Sequence, residues 1–496
     1  MDILYLPEMV SELDDRNGKI MMENLVVYGA GKRGRNLISL IDSCDWEIRA
    51  VVDGNQTLWG TYIGSYQIQA PEALKDIDEV TLCITPAFHA DGIRSYITDI
   101  FQGKVEEISY NCLIQKIYAT VDFSDLLGAV PVYNRNNSII FACLDGMVLG
   151  GVQEWTKDIC TKFLEEKNEN TYILSTGNNG NIAAILENHM LNVDIDTENM
   201  NSVENIRKLI ACLKERLPCV LVTSYPYEVF AGKIIKKAYP DKIRIISGIR
   251  NAAENTYQEY IDFHECVDAY VCVSSDITRE MIKRGAETDR VHTMICPVNC
   301  PGRLVRSYMT RRKQPVRLGY AGRIVVLQKR MDLIEKLIEV LEARKINYYF
   351  ELAGEGDYLQ KMQEFIIGRH LQEKVKLVGV LDKQEIGSFW NDKDICINIA
   401  DFEGRSRSVA EAMANGVVPI VTNTSGAKDD IRDGENGYIV AIGDYEAIAD
   451  KVAKLEQNRD LLPDMGMKAH IELKRKCSMD KHYQFWKEVI HFEVDE

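Results

Sequence analysis

With 496 residues the chain is too long for a single hydrophobic core and has room for about three domains. Its 46% hydrophobic and 27% charged residues are those of a folded globular protein, and a formal net charge of −16 argues against nucleic acid as a partner, which needs a basic face against its phosphates. Thirteen cysteines scattered singly, without a CxxC pair or a leader and without an apolar run of bilayer length, point to a cytoplasmic protein with no structural metal and no disulfide framework.

The first block opens on a buried-strand run, Leu25 to Tyr28, followed by Gly29-Ala-Gly31-Lys-Arg-Gly34 and a helical pattern over 36–44. A second strand, Ile48 to Val52, ends in Asp53, and a third, Val80 to Ile84, ends in Thr85-Pro86. Gly29-x-Gly31-x-x-Gly34 between strand and helix, with Asp53 closing the next strand, is the dinucleotide fingerprint: glycines let the backbone approach phosphates, and the carboxylate can take ribose hydroxyls. The block is only about half a dinucleotide fold in length and has neither a Tyr-x-x-x-Lys pair nor a catalytic cysteine, which makes an oxidoreductase the weakest reading. Two roles stay open for it: binding of NAD(P) or a nucleotide-sugar through Gly29, Gly31, Gly34 and Asp53, or a purely structural or oligomerising part.

The second block starts with a strand over Ser138 to Ala142, then the loop Gly150-Gly151 and an amphipathic helix from about Glu154. Further strands are expected over 172–174, 219–223, 243–247 and 269–273, each followed by a turn and a helix, the pattern of a parallel sheet. Pro297, Pro301 and the basic residues Arg303, Arg306, Arg311, Arg312, Lys313 and Arg317 mark a connector, expected to be a solvated linker rather than a contact to an anionic membrane. The third block has strands over 317–320, 348–352, 375–378, 395–399 and 418–422, and the chain ends in an amphipathic helix over 481–492 whose Phe485, Trp486, Ile490 and Phe492 can dock. Two successive α/β blocks joined by a connector suggest lobes facing each other across a cleft, with ligands at the carboxyl ends of the strands.

The densest chemical signal is Asp401-Phe-Glu403-Gly-Arg405-Ser406-Arg-Ser-Val-Ala-Glu411, where a strand ends in a carboxylate-bearing loop and a helix begins near Ser406. Free N–H groups of Arg405 and Ser406 at that helix start can hold a phosphate. Glu411, inside the helix, can reach a ribose, and Glu403, just outside it, sugar hydroxyls. Arg323 and Lys329, in the loop after the strand over 317–320, can neutralise a departing diphosphate.

These motifs resemble the retaining glycosyltransferases of family 4, over roughly residues 138–460 and most strongly after 317. The resemblance implies an α/β fold of two Rossmann-like GT-B lobes, here preceded by an additional small Rossmann-like domain. The expected domains are 1–122 for the Rossmann-like domain, 136–305 with the helix 479–496 for the acceptor lobe, and 315–478 for the donor lobe. It implies a nucleotide-sugar donor, by default a UDP-sugar, and a metal-independent reaction in which Arg323 and Lys329 stabilise the leaving diphosphate, Glu403 orients the sugar and Glu411 holds the ribose. It further implies that Gly150 and Gly151 approach the donor phosphate and that Val380, in Lys376-Leu-Val-Gly379-Val380, packs the nucleobase. Where the family commonly has a histidine near the donor sugar, this chain has Arg250, which leaves the detailed mechanism open. The acceptor is expected to be a glycan, a lipid-linked glycan or a protein, with peripheral membrane contact and a homo-oligomer as open expectations. The alternative is a non-catalytic partner subunit that binds nucleotide-sugar or glycosylated protein.

Overall fold

The computed structural model describes residues 20–75, 77–86, 90–128, 137–144, 146, 150–177, 180, 182–311 and 313–491; Arg312, Phe492 and the expected first and last segments lie outside them. Three sheets follow one another along the chain, and every ladder is parallel except a short hairpin.

The first sheet comprises β1 (Ile20–Tyr28), β2 (Trp46–Val52), β3 (Tyr62–Ile63), β4 (Tyr66–Gln69), β5 (Glu79–Ile84) and β6 (Lys104–Glu107), in the order β3-β4-β2-β1-β5-β6. Leu25, Val26 and Val27 of its central strand are fully buried because helices cover both faces, which is why the sequence there is continuously apolar rather than alternating. The hairpin β3–β4 and the edge strand β6 carry no such run, and sequence periodicity does not reveal them.

The second sheet comprises β7 (Ser138–Cys143), β8 (Thr171–Ser175), β9 (Met190–Asn192), β10 (Cys219–Thr223), β11 (Ile243–Ile249), β12 (Ala269–Cys272) and β13 (Val291–Thr293), in the order β13-β12-β11-β10-β7-β8-β9. The third comprises β14 (Val316–Ala321), β15 (Tyr348–Ala353), β16 (Val375–Gly379), β17 (Ile395–Asn398), β18 (Val418–Thr422) and β19 (Tyr438–Val440), in the order β16-β15-β14-β17-β18-β19. In each sheet the strand order reverses once, at β1/β5, β7/β10 and β14/β17, and the crevice at such a reversal is where open α/β sheets take ligands.

The first two sheets share one continuous apolar core running from Leu25 to Val291, with the helix Tyr110–Thr120 lodged between them. Its Asn111 donates to the Glu259 carbonyl at 3.0 Å, Gln115 to the Asp262 carbonyl at 3.0 Å, and the Tyr118 hydroxyl to the Asn201 carbonyl at 2.7 Å. From the other side Arg33, inside the glycine motif, meets Glu259 at 2.5 Å while its guanidinium lies 4.2 Å from the Tyr110 ring centroid. The N-terminal domain is therefore packed against the second lobe rather than tethered to it.

The connector is not the solvated linker expected of it. The Arg306 side chain is buried, donating to the carbonyl of Asn415 at 2.7 Å and to that of Lys393, and Arg317 pairs with the fully buried Asp394 at 2.9 Å. Two of the basic residues, Arg306 and Arg317, are matched by an acid and carbonyls of the third lobe and clamp the connector to it, while Arg303, Arg311 and Lys313 remain exposed. The chain then returns: the helix Leu461–Lys476 packs on the third lobe, and the helix Met479–Val489 crosses to the second, where Trp486 contacts Trp155 and Phe141. No helix among the described residues is long and apolar enough to cross a membrane.

Candidate donor site between the lobes

The loop after β14 and the loop after β17 flank the strand-order reversal of the third sheet, and they interlock. Lys329, only 9% exposed, is ion-paired to Glu403, itself 7% exposed. Gln328 donates from Nε2 to the Phe402 carbonyl at 3.1 Å and to Glu403 Oε2 at 3.4 Å, and it accepts from Arg323. Arg323 itself is exposed. Arg330 adds a bond to Asp401 at 3.1 Å, fastening the two loops. Gln328 and Arg330 hold left-handed backbone (φ 76° and 47°), a conformation that costs a residue with a Cβ and persists where surrounding contacts impose it. The structure thus brings Arg323, Lys329 and Glu403 into one charged cluster.

Glu411 stands apart from that cluster. It lies in the helix Arg407–Ala414, where Arg407 binds it at 2.9 Å. Burial pushes its carboxyl above the usual glutamate range, and the Arg407 charge only partly opposes this. Arg407 also reaches Asp158 of the second lobe at 3.4 Å, and Lys383 is ion-paired to the same carboxylate, so two cations of the third lobe converge on one anion across the cleft. Asp158 and Lys383 carry no local signal in the sequence; Arg407 does, because four residues before Glu411 on a helix puts the two side chains on one face.

The helix Arg407–Ala414 opens at Ser406 with no side-chain cap, which leaves its first N–H groups unclaimed by a side chain, as an anion site requires. The Ser406 hydroxyl instead sits 3.2 Å from Asn398 Nδ2. Arg405 offers only backbone here: its guanidinium turns inward to Asp430 at 2.7 Å and to the Cys296 carbonyl at 2.8 Å. Val380, just beyond β16, is 43% exposed.

On the facing lobe, Gly150 and Gly151 open the helix Gly151–Glu165 after β7, and a Cβ on Gly151 would meet nothing within 4 Å. Arg250 follows β11; its guanidinium lies 3.5 Å from the Trp155 ring centroid, with Nε donating to Ser224 at 3.4 Å. Its Nη2 is buried without a partner among the described residues. The backbone carbonyl of Arg250 abuts Gly404, where a Cβ would lie 2.0 Å from that oxygen. Glu403 therefore sits one residue from the seam between lobes. Ser274 and Ser425 hydroxyls 2.7 Å apart, and Ser275 N–H donating to Asp429 at 2.8 Å, continue the seam. Gly404→Ala is expected to force the lobes apart, costing about 1–3 kcal/mol of packing. It should depress turnover far more than melting temperature; unchanged kinetics would show that the seam does not matter to the site.

In the N-terminal domain, Gly29 has φ 107° and a Cβ there would lie 2.6 Å from Thr85 Oγ1, while a Cβ on Gly34 would lie 1.9 Å from the Gly29 carbonyl. The first glycine is thus fixed by its left-handed backbone and the Thr85 and Pro86 side chains and the third by backbone packing, whereas Gly31 faces open space. Asp53 accepts from the Ala30 N–H at 2.7 Å and the Asn55 N–H at 2.7 Å, bracing the glycine turn.

The second and third sheets with their facing crevices form the GT-B architecture of glycosyltransferases, preceded here by an additional small α/β domain. Residues 309–471 match the family model described as glycosyl transferases group 1. The chain is 22% identical over 350 residues to the capsular polysaccharide biosynthesis glycosyltransferase CapM of Staphylococcus aureus, an alignment covering 64% of this chain and 88% of that protein. It is 26% identical over 170 residues to a poly(ribitol-phosphate) alpha-N-acetylglucosaminyltransferase of S. aureus strain COL, covering 34% of each. Among solved structures, HepE of Anabaena in complex with UDP and glucose is similar over 71% of this chain and 99% of its own, with TM-score 0.59 and 14% identity. A mutant of S. aureus TarM, in complex with Fondaparinux, alpha-GlcNAc-glycerol and UDP, is similar over 58% of this chain and 59% of its own, with TM-score 0.51 and 18% identity.

Proposed function

We propose that the protein is a retaining glycosyltransferase that moves a hexosyl or N-acetylhexosaminyl group from a UDP-sugar to an acceptor hydroxyl in cell-surface polysaccharide, glycolipid or glycoprotein synthesis. The observation that carries this reading is the Arg323–Gln328–Glu403–Lys329 cluster at the β14/β17 reversal, directly before a helix with an uncapped N-terminus. The UDP in the HepE and TarM structures and the capsular role in the name of CapM support the donor and the pathway class.

In this reading the bond between the anomeric carbon and the diphosphate oxygen breaks, the electron pair leaves with UDP, and the acceptor oxygen forms its bond on the same face. Its proton passes to the departing phosphate oxygen, so no protein base is needed, and because the acceptor itself attacks on that face no protein nucleophile is needed either. Arg323, Lys329 and the N–H groups at Arg405 and Ser406 oppose the charge that develops on the diphosphate, which supplies that neutralisation without a metal. Glu403 exchanges its Lys329 partner for sugar hydroxyls, and Glu411 exchanges Arg407 for the ribose. Gly150, Gly151 and Arg250 close over the donor from the acceptor lobe, and Val380 contacts the base.

Ribose binding by a carboxylate is worth about 1.5–3 kcal/mol, so Glu411→Gln should raise the donor KM at least tenfold with a smaller change in kcat. Because the carboxyl titrates above the ordinary range, donor affinity of the wild type should fall on acidification before that of a normal glutamate site would, and Glu411→Gln should lose this acid limb. A UDP-sugar panel read by product formation tests the whole reading. Tight donor binding without transfer or hydrolysis for any sugar would favour the non-catalytic partner, for which Arg250 in place of a histidine is the supporting observation.

A further inference from the structure

The N-terminal domain has a cleft of about 320 Å³ that the transfer reaction does not use. It is lined by Tyr28 at the end of β1, by Gly54 and Trp59 after β2, by Glu72, and by Gly92 and Tyr96 of the helix Ala90–Ile100 that follows β5. These are the carboxyl ends of the strands at the point where the order of the first sheet reverses, the position at which such sheets take ligands. The volume is at the small end of small-molecule sites, about 300–1,000 Å³, which suits one nucleoside and not a whole dinucleotide.

The walls have matching chemistry. Trp59 and Tyr96 are 36% and 38% exposed, large rings left open to solvent at the cleft and held by hydrogen bonds: Trp59 Nε1 donates to the Asp53 carbonyl at 2.7 Å, and the Tyr96 hydroxyl to Glu72 Oε1 at 2.6 Å. Exposed, pre-oriented rings are platforms for a flat base, since every base offers a π-face. Glu72 keeps further lone pairs beyond the one Tyr96 uses, enough to accept from sugar hydroxyls. Burial, reinforced by Asp53 and Glu72, keeps the Tyr28 phenol protonated and hence a donor at the floor.

We propose that this cleft is a second nucleotide site, separate from the donor site, that takes the nucleoside of a mononucleotide with its base against Trp59 and Tyr96 and its sugar against Glu72. Asp53 braces the glycine turn and, through its carbonyl, holds Trp59. The proposal stands whether or not the third lobe transfers sugar.

Trp59 gives the readout. It is the surface tryptophan of the five; Trp46, Trp155, Trp390 and Trp486 are all buried. Gly92 gives the block: a Cβ there meets nothing within 4 Å and the position is helical, so Gly92→Leu fills the cleft while favouring the helix. The full chain would be titrated with UMP, UDP and AMP, following tryptophan fluorescence and calorimetric stoichiometry, in the wild type, in Glu411→Ala and in Gly92→Leu. At least one nucleotide should quench fluorescence in Glu411→Ala as in the wild type, and bind at least tenfold more weakly at that site in Gly92→Leu and in Tyr96→Ala. Trp59→Phe should abolish the quench while calorimetry still reports binding. Loss of all nucleotide binding in Glu411→Ala, or unaltered binding in Gly92→Leu, would overturn the second site and leave the transferase reading untouched. Binding that survives in Glu411→Ala, with no transfer by the wild type from any UDP-sugar, would keep the second site and overturn the transferase reading instead.

Discussion

Lys329→Ala is expected to lower kcat about 100- to 1,000-fold, the loss seen when one group aimed at developing transition-state charge is removed. A second effect accompanies it. Lys329 and Glu403 are both nine-tenths buried and paired, so removing the cation strands a carboxylate, at a cost of about 3–5 kcal/mol for such a site. A simple loss of activity would therefore be ambiguous between chemistry and folding. The double variant Lys329→Met with Glu403→Gln separates them, because replacing both partners removes the unpaired charge and should return the melting temperature close to that of the wild type. If the pair serves the reaction, the restored protein stays inactive. If activity returns with stability, the pair is a structural brace and the donor site must be sought elsewhere.

The third sheet was the most legible part of the chain. Val418–Thr422 and Tyr445–Gln457 fall where apolar runs and helical periodicity put them, because strands buried on both faces read as unbroken hydrophobic segments. Ser406 as the residue before the helix was legible from the strand–loop–helix grammar around it. Short edge elements were not: β6, β9, β13 and β19 have three or four residues each, too few to establish a period. The basic connector misled for a different reason. Two of its charges, Arg306 and Arg317, are matched by Asp394 and by the carbonyls of Asn415 and Lys393, and composition alone cannot distinguish a solvated cation from one whose acceptor is distant in sequence. The same holds for the site. Arg323, Lys329 and Glu403 were nominated by local motif, but that Glu411 is held by Arg407 and faces Asp158 is a tertiary fact, as is the seam of Gly404 against Arg250.

That seam depends on the last helix, and acid should release it. His482, 1% exposed, accepts through Nε2 from Trp155 Nε1 at 2.7 Å and from Trp486 Nε1 at 3.0 Å, which requires an unprotonated Nε2. Burial, with the Arg250 guanidinium on the neighbouring Trp155 face and Arg405 beyond, pushes the imidazole down to about 3. A depressed pKa means that the unfolded chain binds a proton the folded one refuses between about 6.5 and about 3, so the stabilisation is complete above that window and is lost as pH falls through it. At 1.36 kcal/mol per unit the loss amounts to about 5 kcal/mol once pH has fallen through the window. Thermal melting from pH 7 to pH 4 should show a steep decline in the wild type and a shallower one in His482→Gln, whose amide oxygen can still accept from the two indoles but does not titrate. Equal slopes would remove His482 from the account of acid stability. A shallower slope, with indole fluorescence changing first as pH falls, would mean that the helix Met479–Val489 leaves Trp155 before either lobe unfolds, and that Arg250 loses the surface on which it is held against the Glu403 loop.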